Sequence, residues 1–197
     1  MSLTPPGDSS PTLHNHRLSL GAMFSFVVGV ALIWVLLFQI NLWIFSEVHI
    51  TGFISWIFLP AAIRMLAVMV GGWTGAFGLF LGALVTNAVF ADIDLINSVI
   101  LATLSALGPL AAVYLCTRWL NLPTDLSGLQ RSQLLVFAVA GAVFNVFPHN
   151  LFFYLTDLRT DAWSGVIPMF VGDLVGTLAV LYVVSFSIRL VLNRVRT

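Results

Sequence analysis

Two residues of opposite charge, Arg64 and Asp173, lie in the middle of apolar stretches of this chain. Only 8% of the residues are charged, so two formal charges inside apolar segments need an explanation. A charged side chain at the centre of a bilayer costs from about 2.5 to more than about 10 kcal/mol, so neither is expected to face lipid. The two charges are therefore predicted to face each other, a ligand or both. The ion pair would then either be purely structural or line a binding site.

Other polar residues are predicted to lie at a similar depth. Asn145 and His149 are four residues apart and share one helix face, and Asn87 falls near the end of another apolar stretch. Pro60 and Pro148 each remove a helical hydrogen bond and leave a carbonyl group that needs a partner. Together these residues predict a polar pocket that opens to the outside. The alternative is ordinary hydrogen bonding between helices, which contributes about 0.6 kcal/mol per bond.

The sequence lacks the patterns of an enzyme, a haem protein or a metal site. Only His149 among the four histidines lies inside an apolar stretch, whereas a membrane haem usually needs facing histidines. No histidine and carboxylate stand in a recognisable catalytic pattern with Ser25, Ser105 or Cys116, and no glycine-rich phosphate loop is present. We therefore predict no enzymatic activity, no cofactor and no metal. A proton relay through Asp173 and His149 stays open.

The elements that must position these side chains are predicted to be membrane-spanning helices. The 197 residues are 59% hydrophobic and include no lysine, which is too apolar for a water-soluble domain. The prediction is an all-α integral membrane bundle (residues 20–192), preceded by a polar tail (1–19) and followed by a short basic tail (193–197). A transmembrane helix needs about 20 apolar residues. The six stretches that qualify are Leu20–Phe45, Phe53–Val70, Thr74–Ala91, Asn97–Trp119, Gln133–Leu155 and Trp163–Leu190.

The charged residues between these stretches predict the orientation of the bundle. Cytoplasmic loops are enriched in arginine and lysine, so both termini are predicted to be cytoplasmic. One side would then carry Arg17, Arg118, Arg131, Arg189, Arg194 and Arg196. The other would carry Glu47, Asp92, Asp94, Asp157 and Asp161, with Arg159. Tryptophans mostly fall near span ends, as interfacial anchors would: Trp34, Trp43, Trp56, Trp73, Trp119 and Trp163. The net charge of zero gives no reason to expect a nucleic acid partner; membrane lipids are the expected surroundings.

Glycines recur at helical spacing in two places. Four of them follow spacings of four, three and four, which predicts one face that a neighbouring helix approaches closely: Gly71, Gly75, Gly78 and Gly82. Gly172 and Gly176 repeat this spacing around Asp173, where they pack a helix or make room beside the carboxylate. The stripe is predicted to pack helices within one chain. The alternative is a seam between two copies, in a homo-oligomer.

Several short motifs resemble a known family. The run Phe58-Leu59-Pro60-Ala61-Ala62-Ile63, followed by Gly71-Gly72-Trp73 and Gly78-Leu79-Phe80-Leu81-Gly82-Ala83, resembles the first family of membrane-associated sensor domains of bacterial histidine kinases and diguanylate cyclases. Gly172-Asp173-Leu174-Val175-Gly176 resembles the Gly-Asp-x-x-Gly of that family. The resemblance implies a bacterial inner-membrane sensor that signals through a protein partner. Arg64 stands where that family has a neutral residue, and with fewer spans and no output domain the chain resembles a shortened, stand-alone form.

Two other functions remain open. The length and layout also resemble the substrate-binding membrane subunits of energy-coupling-factor transporters, which implies a partner that docks on a small-residue face such as Ala22, Ser25 and Gly29. A structural or accessory subunit of a larger membrane complex needs no pocket at all. The leading hypothesis is a sensor-like membrane protein that binds a small ligand near Arg64 and Asp173 and acts through a partner in the membrane or at its cytoplasmic face.

Overall fold

The structure is a computed structural model that describes residues 19–45, 49–51, 54–119, 121, 131–158 and 163–195. Within these residues it is almost entirely helical, as predicted, with a single small antiparallel sheet. Most of the two predicted tails lies outside the described residues, since only residue 19 and residues 193–195 of them are described. The fold can therefore be followed from the first predicted span to the end of the last one.

Six α-helices make up the described bundle. They are α1 (Leu20–Ile44), α2 (Ala61–Gly71), α3 (Trp73–Val85), α4 (Leu95–Trp119), α5 (Arg131–Leu155) and α6 (Val166–Val195). A π-helical turn, Thr86–Phe90, extends α3, and a 3₁₀ turn, Trp163–Gly165, precedes α6. Strands β1 (His49–Thr51) and β2 (Ile54–Ser55) pair antiparallel between α1 and α2.

Five segments within the described residues are long and apolar enough to cross a membrane, which indicates a multi-pass membrane protein. They are Leu20–Ile44, Trp73–Phe90, Leu95–Trp119, Ser132–Leu155 and Trp163–Val180. Large apolar side chains are exposed around the bundle, including Phe24, Trp73, Tyr114, Trp119 and Ile167. Soluble proteins rarely expose such an apolar surface, whereas a lipid environment covers it.

The predicted second span, Phe53–Val70, differs from a full transmembrane helix. Phe53 lies outside the described residues, Ile54 and Ser55 belong to β2, and the helix begins only after Pro60. The fixed φ of proline suits a helix start, and its missing N–H is not needed there. The 11 residues of α2 extend about 16 Å, roughly half of the ~30 Å hydrocarbon layer. α2 is therefore too short to form a sixth full-length membrane span.

The helices bring one set of ends together. α1 and α3 run parallel, because Val30 lies against Gly78, Trp34 against Gly82, and Phe38 against Phe90 of the π-helical turn. The neighbours α3 and α4, α4 and α5, and α5 and α6 are antiparallel, as shown by the pairs Asn87 and Ser98, Leu101 and Phe153, and Asn150 and Met169. We call the end where α1, α3 and α5 finish and α2, α4 and α6 begin the hairpin end. The beginning of α1 and the end of α6 lie at the opposite end of the bundle.

Two glycines of α3 let α1 approach closely. A Cβ added at Gly78 would lie 2.7 Å from Val30 Cβ, and one added at Gly82 would lie 2.8 Å from Trp34 Cβ. Real Cβ atoms do not come this close, so only glycine fits both positions. These two members of the predicted stripe therefore pack helices within one chain.

The other two glycines of the stripe have different neighbours. Gly71 ends α2 rather than belonging to α3, and its α-carbon faces the ring of Phe26 on α1. Gly72 has φ +53° and separates the two helices. Gly75 faces the backbone carbonyl of Ala67 on α2. The four glycines do not form one face of one helix, because the break at Gly72 intervenes.

The start of α4 depends on Asp94, which caps the helix. Its Oδ1 accepts hydrogen bonds from the backbone N–H groups of Ile96 and Asn97, both at 3.1 Å. Asn97 Nδ2 donates to Oδ2 at 2.5 Å. The hydrogen bonds from Asn97 lower the pKa of the Asp94 carboxyl below its usual 3.8. This is an N-cap of the kind that Asp and Asn both form well.

We expect the Asp94 cap to make stability depend on pH. Since the folded pKa lies below the unfolded one, the stabilisation is present above about pH 3.8 and is lost as the pH falls through the folded pKa. Asp94→Ala should lower the thermal midpoint at pH 7, and the difference from the wild type should shrink below pH 3.8. Asp94→Asn, which keeps a capping oxygen but lacks the charge, should have a thermal midpoint between those of the wild type and Asp94→Ala at pH 7. A difference between the wild type and Asp94→Ala that does not change with pH would contradict this account.

Candidate ligand-binding site

Arg64 and Asp173 form a buried ion pair inside the bundle. Arg64 Nη1 donates to Asp173 Oδ2 at 2.9 Å, and the two residues are only 5% and 3% exposed. Arg64 lies in the first turns of α2 and Asp173 in the third turn of α6, so both belong to the hairpin end. Asn145 Nδ2 donates to the same carboxylate oxygen at 2.7 Å. The structure thus joins three of the residues that the sequence placed at a common depth.

The loop before α2 is held from two sides, and this sets the position of Arg64. Phe58 N–H donates to the carbonyl of Gly172 on α6 at 3.0 Å. Leu59 N–H donates to Asn41 Oδ1 on α1 at 2.9 Å. Gly176 lies against the Phe58 carbonyl, so the absence of a side chain there lets the loop reach α6. Gly176 therefore makes room for this loop, and the backbone carbonyl of Gly172 accepts its hydrogen bond.

Asn41 is a residue that the sequence reasoning missed. It is 1% exposed and lies in the last turns of α1, in a span that is otherwise almost wholly apolar. Its side-chain oxygen accepts a hydrogen bond from the Leu59 N–H, which precedes α2 and has no partner within that helix. A side-chain amide inside an apolar span, where Gln39 and Asn41 stand out, was the signal that could have revealed it.

The Arg64 guanidinium packs against two aromatic rings. Its Cζ is 5.1 Å from the centroid of Phe58 and 5.3 Å from that of Trp34. Trp34 Nε1–H donates to Thr86 Oγ1 at 3.1 Å, and the Thr86 hydroxyl donates to the Ala83 carbonyl at 3.0 Å. Trp34 is 3% exposed, so the interpretation of this residue as an interfacial anchor is wrong. Its ring instead stabilises the buried cation.

His149 is held by two hydrogen bonds. Its Nδ1 lies 2.8 Å from the Asn145 carbonyl and therefore carries the proton and donates. The Ser105 hydroxyl lies 3.2 Å from Nε2 and donates to it when the ring is neutral. No sequence pattern associates Ser105 with a histidine, because only the antiparallel packing of α4 on α5 brings Ser105 and His149 together. Asn145 therefore contacts both residues. Its backbone carbonyl accepts from His149, and its side-chain amide donates to Asp173.

A cavity of about 50 Å³ lies beside the ion pair at the hairpin end. Its polar wall consists of Arg64, Thr86, Asn87, Ser105, His149 and Asp173. Its apolar wall consists of Trp34, Phe38, Phe58, Leu101, Phe153 and Met169. Since a water molecule takes about 30 Å³ of the liquid, the space suits one or two waters or a ligand of a few heavy atoms.

Of the predicted pocket residues, Asn145 is the one that does not line this cavity; it supports Asp173 from the side. Asn87 does line it, and its Nδ2 makes only a long hydrogen bond of 3.4 Å to the Ser98 carbonyl. Asn87 lies in the π-helical turn, a distortion that is frequent at functional sites. The polar cluster predicted from the sequence is thus present around one cavity and one buried pair.

The ion pair is incompletely hydrogen-bonded. Arg64 Nε, Asp173 Oδ1 and Asn145 Oδ1 are buried without a hydrogen-bond partner in the described part of the chain. An unsatisfied buried polar atom costs about 1–3 kcal/mol. Arginine and carboxylate often pair through two parallel bonds, but here one nitrogen meets one oxygen. The pair therefore retains hydrogen-bonding capacity that a third group could use.

Arg64 and Asp173 also line a second cavity of about 10 Å³. This cavity lies farther from the hairpin end, beside Pro109, Gly141 and Thr177. The two cavities share no other lining residue, so the ion pair separates them. A movement of either charged side chain would change both spaces.

Among the described residues, no three histidine, cysteine, aspartate or glutamate side chains stand close enough together to hold a metal ion. Comparisons of the chain with protein-family models, with curated proteins and with solved structures gave no match. Fold and site therefore define the class without a relative: a multi-pass membrane protein with an incompletely bonded ion pair beside a small cavity.

Proposed function

We propose that this is a sensor-like membrane protein that binds a small ligand in the cavity beside Arg64 and Asp173 and signals through a protein partner. The observation that carries the proposal is the incomplete bonding of the pair next to that cavity. A pair that served only to hold α2 against α6 would gain from satisfying Nε and Oδ1 within the protein. A ligand that approached both side chains could use these unsatisfied atoms.

The arrangement of α2 and α6 supports a route for the signal. Arg64 belongs to a short helix that ends at Gly71, and Asp173 belongs to a helix that continues to Val195. The 22 residues from Asp173 to Val195 extend about 33 Å, the thickness of the hydrocarbon layer. A ligand that changed the contact between the two helices would shift α6 along its length. The partner would meet it at the end opposite the hairpin end.

The proposed orientation places the hairpin end outside and both termini in the cytoplasm. The distribution of arginine between the loops supports it, and the resemblance to bacterial sensor domains supports the inner membrane of a bacterium. The ligand would then enter from outside and the signal would reach the cytoplasmic face. The sixth crossing would be completed by α2 together with the residues before it.

A second candidate, the substrate-binding subunit of an energy-coupling-factor type transporter, is favoured by one observation. Ala22 and Ser25 on α1 are exposed, and a Cβ added at Gly29 would meet no atom within 4 Å. This small-residue face is free to contact a coupling protein. Copurification with a histidine kinase or diguanylate cyclase would favour the sensor, and copurification with ATPase subunits would favour the transporter.

Two phenylalanine substitutions on α4 test ligand binding. Leu101 is 3% exposed and lines the cavity, so Leu101→Phe should fill it without removing a polar group. Leu107, on the same helix, is 46% exposed, so Leu107→Phe is a matched control. In a thermal-shift screen of small polar compounds in nanodiscs, a ligand at about 100 times its Kd should stabilise the wild type and the control by about 2.7 kcal/mol. It should not stabilise Leu101→Phe.

Two results would count against the proposal. One is a screen in which no compound stabilises the wild type. The other is a set of compounds that stabilise all three proteins equally, because such binding would take place outside the cavity. Each variant is compared with its own ligand-free midpoint, so a loss of stability in Leu101→Phe does not affect the comparison.

A further inference from the structure

The charges that line the cavity cancel. Arg64 is its one guanidinium and Asp173 its one carboxylate among the described residues, and they contact each other at 2.9 Å. His149 is the remaining titratable group in the lining, and its Nε2 accepts the Ser105 hydroxyl, as in a neutral ring. α1 and the π-helical turn contribute no charged side chain to this wall. The cavity therefore has no net charge to offer a ligand.

The cavity offers no free counter-charge to a ligand that carries a net charge. An anion bound to Arg64 would compete with Asp173, whose carboxylate would keep only the amide of Asn145. A cation bound to Asp173 would leave Arg64 packed against two aromatic rings without its carboxylate. In either case one ion is buried without compensation, which is strongly unfavourable in a low-dielectric interior.

The hydrogen-bonding capacity of the pair favours a particular pattern in the ligand. Arg64 Nη1–H donates to Asp173. Among the described residues, Arg64 Nε–H has no acceptor and Asp173 Oδ1 has no donor. A complementary molecule presents an acceptor to the guanidinium and, beside it, a donor to the carboxylate. The small volume of the cavity limits it to a few heavy atoms.

We propose that the cavity binds an uncharged molecule of a few heavy atoms that carries a carbonyl oxygen next to an N–H or O–H group, and that it discriminates against ions of either sign. Primary amides and carboxylic acids in their protonated form share this chemistry. The inference rests on the proposed ligand-binding function and specifies the class of ligand. An acid would bind together with its proton, whereas an amide would bind independently of pH.

The test compares three small probes on the full chain in nanodiscs: acetamide, acetate and methylammonium. At pH 7 acetamide should bind the wild type at least about tenfold more tightly than either ion. The apparent affinity for acetate should rise about tenfold for each unit by which the pH is lowered towards the pKa of acetic acid, while that for acetamide stays constant. Leu101→Phe should abolish acetamide binding, and Leu107→Phe should retain it.

Charge-changing variants should switch the preference. Asp173→Asn gives the cavity a net positive charge, so it should bind acetate better than acetamide, and acetate should raise its thermal midpoint. Arg64→Gln gives a net negative charge and should favour methylammonium. If these variants fail to fold, the pH series on the wild type still decides, because it needs no change at the pair.

The outcomes separate this inference from the proposed function. If the wild type binds acetate more tightly than acetamide, without dependence on pH and with loss in Leu101→Phe, the neutral-ligand inference is overturned and ligand binding in the cavity stands. If none of the three probes binds but another compound from the screen does, the neutral-ligand inference is likewise overturned and ligand binding in the cavity stands. If no compound stabilises the protein through the cavity, both are overturned.

Discussion

Asp173→Asn is expected to lower the free energy of unfolding by about 3–5 kcal/mol, because it leaves Arg64 buried without a counter-charge. Arg64 is 5% exposed, and Asp173 Oδ2 is the acceptor of its hydrogen bond. The two aromatic rings that flank the guanidinium supply part of the lost attraction, but exposed cation–π contacts contribute only about 0.5–1 kcal/mol and desolvated ones about 2. Reversible unfolding in detergent or in nanodiscs measures the difference.

Removing both charges should restore most of this stability. Replacing a buried ion pair with apolar residues of similar volume is often neutral or stabilising, so Arg64→Leu combined with Asp173→Leu should unfold near the wild type. Arg118→Leu is the control for losing an arginine, since Arg118 is exposed, and it should change stability by less than about 0.5 kcal/mol. A single variant as stable as this control, or a double variant no more stable than Asp173→Asn, would show that the pair is not energetically coupled.

The double variant also separates the two interpretations of the pair that the sequence left open. A structural pair predicts that the double variant folds and keeps ligand binding. A pair that binds the ligand predicts that the double variant folds and loses it. Stability and binding measured on one protein therefore answer a question that neither measurement answers alone.

The ion pair could be predicted from the sequence because the cost of a buried charge leaves few arrangements open to it. Arg64 and Asp173 stand out in apolar segments, and helix geometry places them at a common depth. The partners that complete the site could not be found in this way. Ser105 meets His149 only through the packing of α4 on α5, and Trp34 looked like one of several interfacial tryptophans.

The second predicted span shows that hydropathy alone does not identify a transmembrane helix. The residues from Ile54 to Leu59 are as apolar as a transmembrane helix, but they form a short strand and a loop that the bundle partly covers. Burial inside a protein and burial in lipid select the same residue types, so composition alone does not distinguish them. Pro60 was the signal for the true helix start, since proline favours the first turn. The Gly71-Gly72 pair likewise marked the break that divides the predicted glycine stripe.

Gly176 explains why that loop can replace a helix, and adding a single methyl group there should have a large effect. Its α-carbon lies against the Phe58 carbonyl oxygen, which belongs to the backbone and cannot rotate away. The same loop donates Phe58 N–H to Gly172 and Leu59 N–H to Asn41. A Cβ at Gly176 would therefore push against a segment that is held on both sides.

Gly176→Ala should lower the free energy of unfolding by at least about 1–3 kcal/mol, the usual cost of overpacking, and should weaken binding of any ligand that contacts Arg64. Binding should fall because the displaced loop leads directly into the first turn of α2. Gly29→Ala is the matched control: it adds the same methyl group to a transmembrane helix with no atom within 4 Å, and alanine is the better helix former by up to about 1 kcal/mol. If Gly176→Ala were as stable as Gly29→Ala and bound ligand equally well, the loop would not depend on this contact, and α2 would be positioned by its helix neighbours alone.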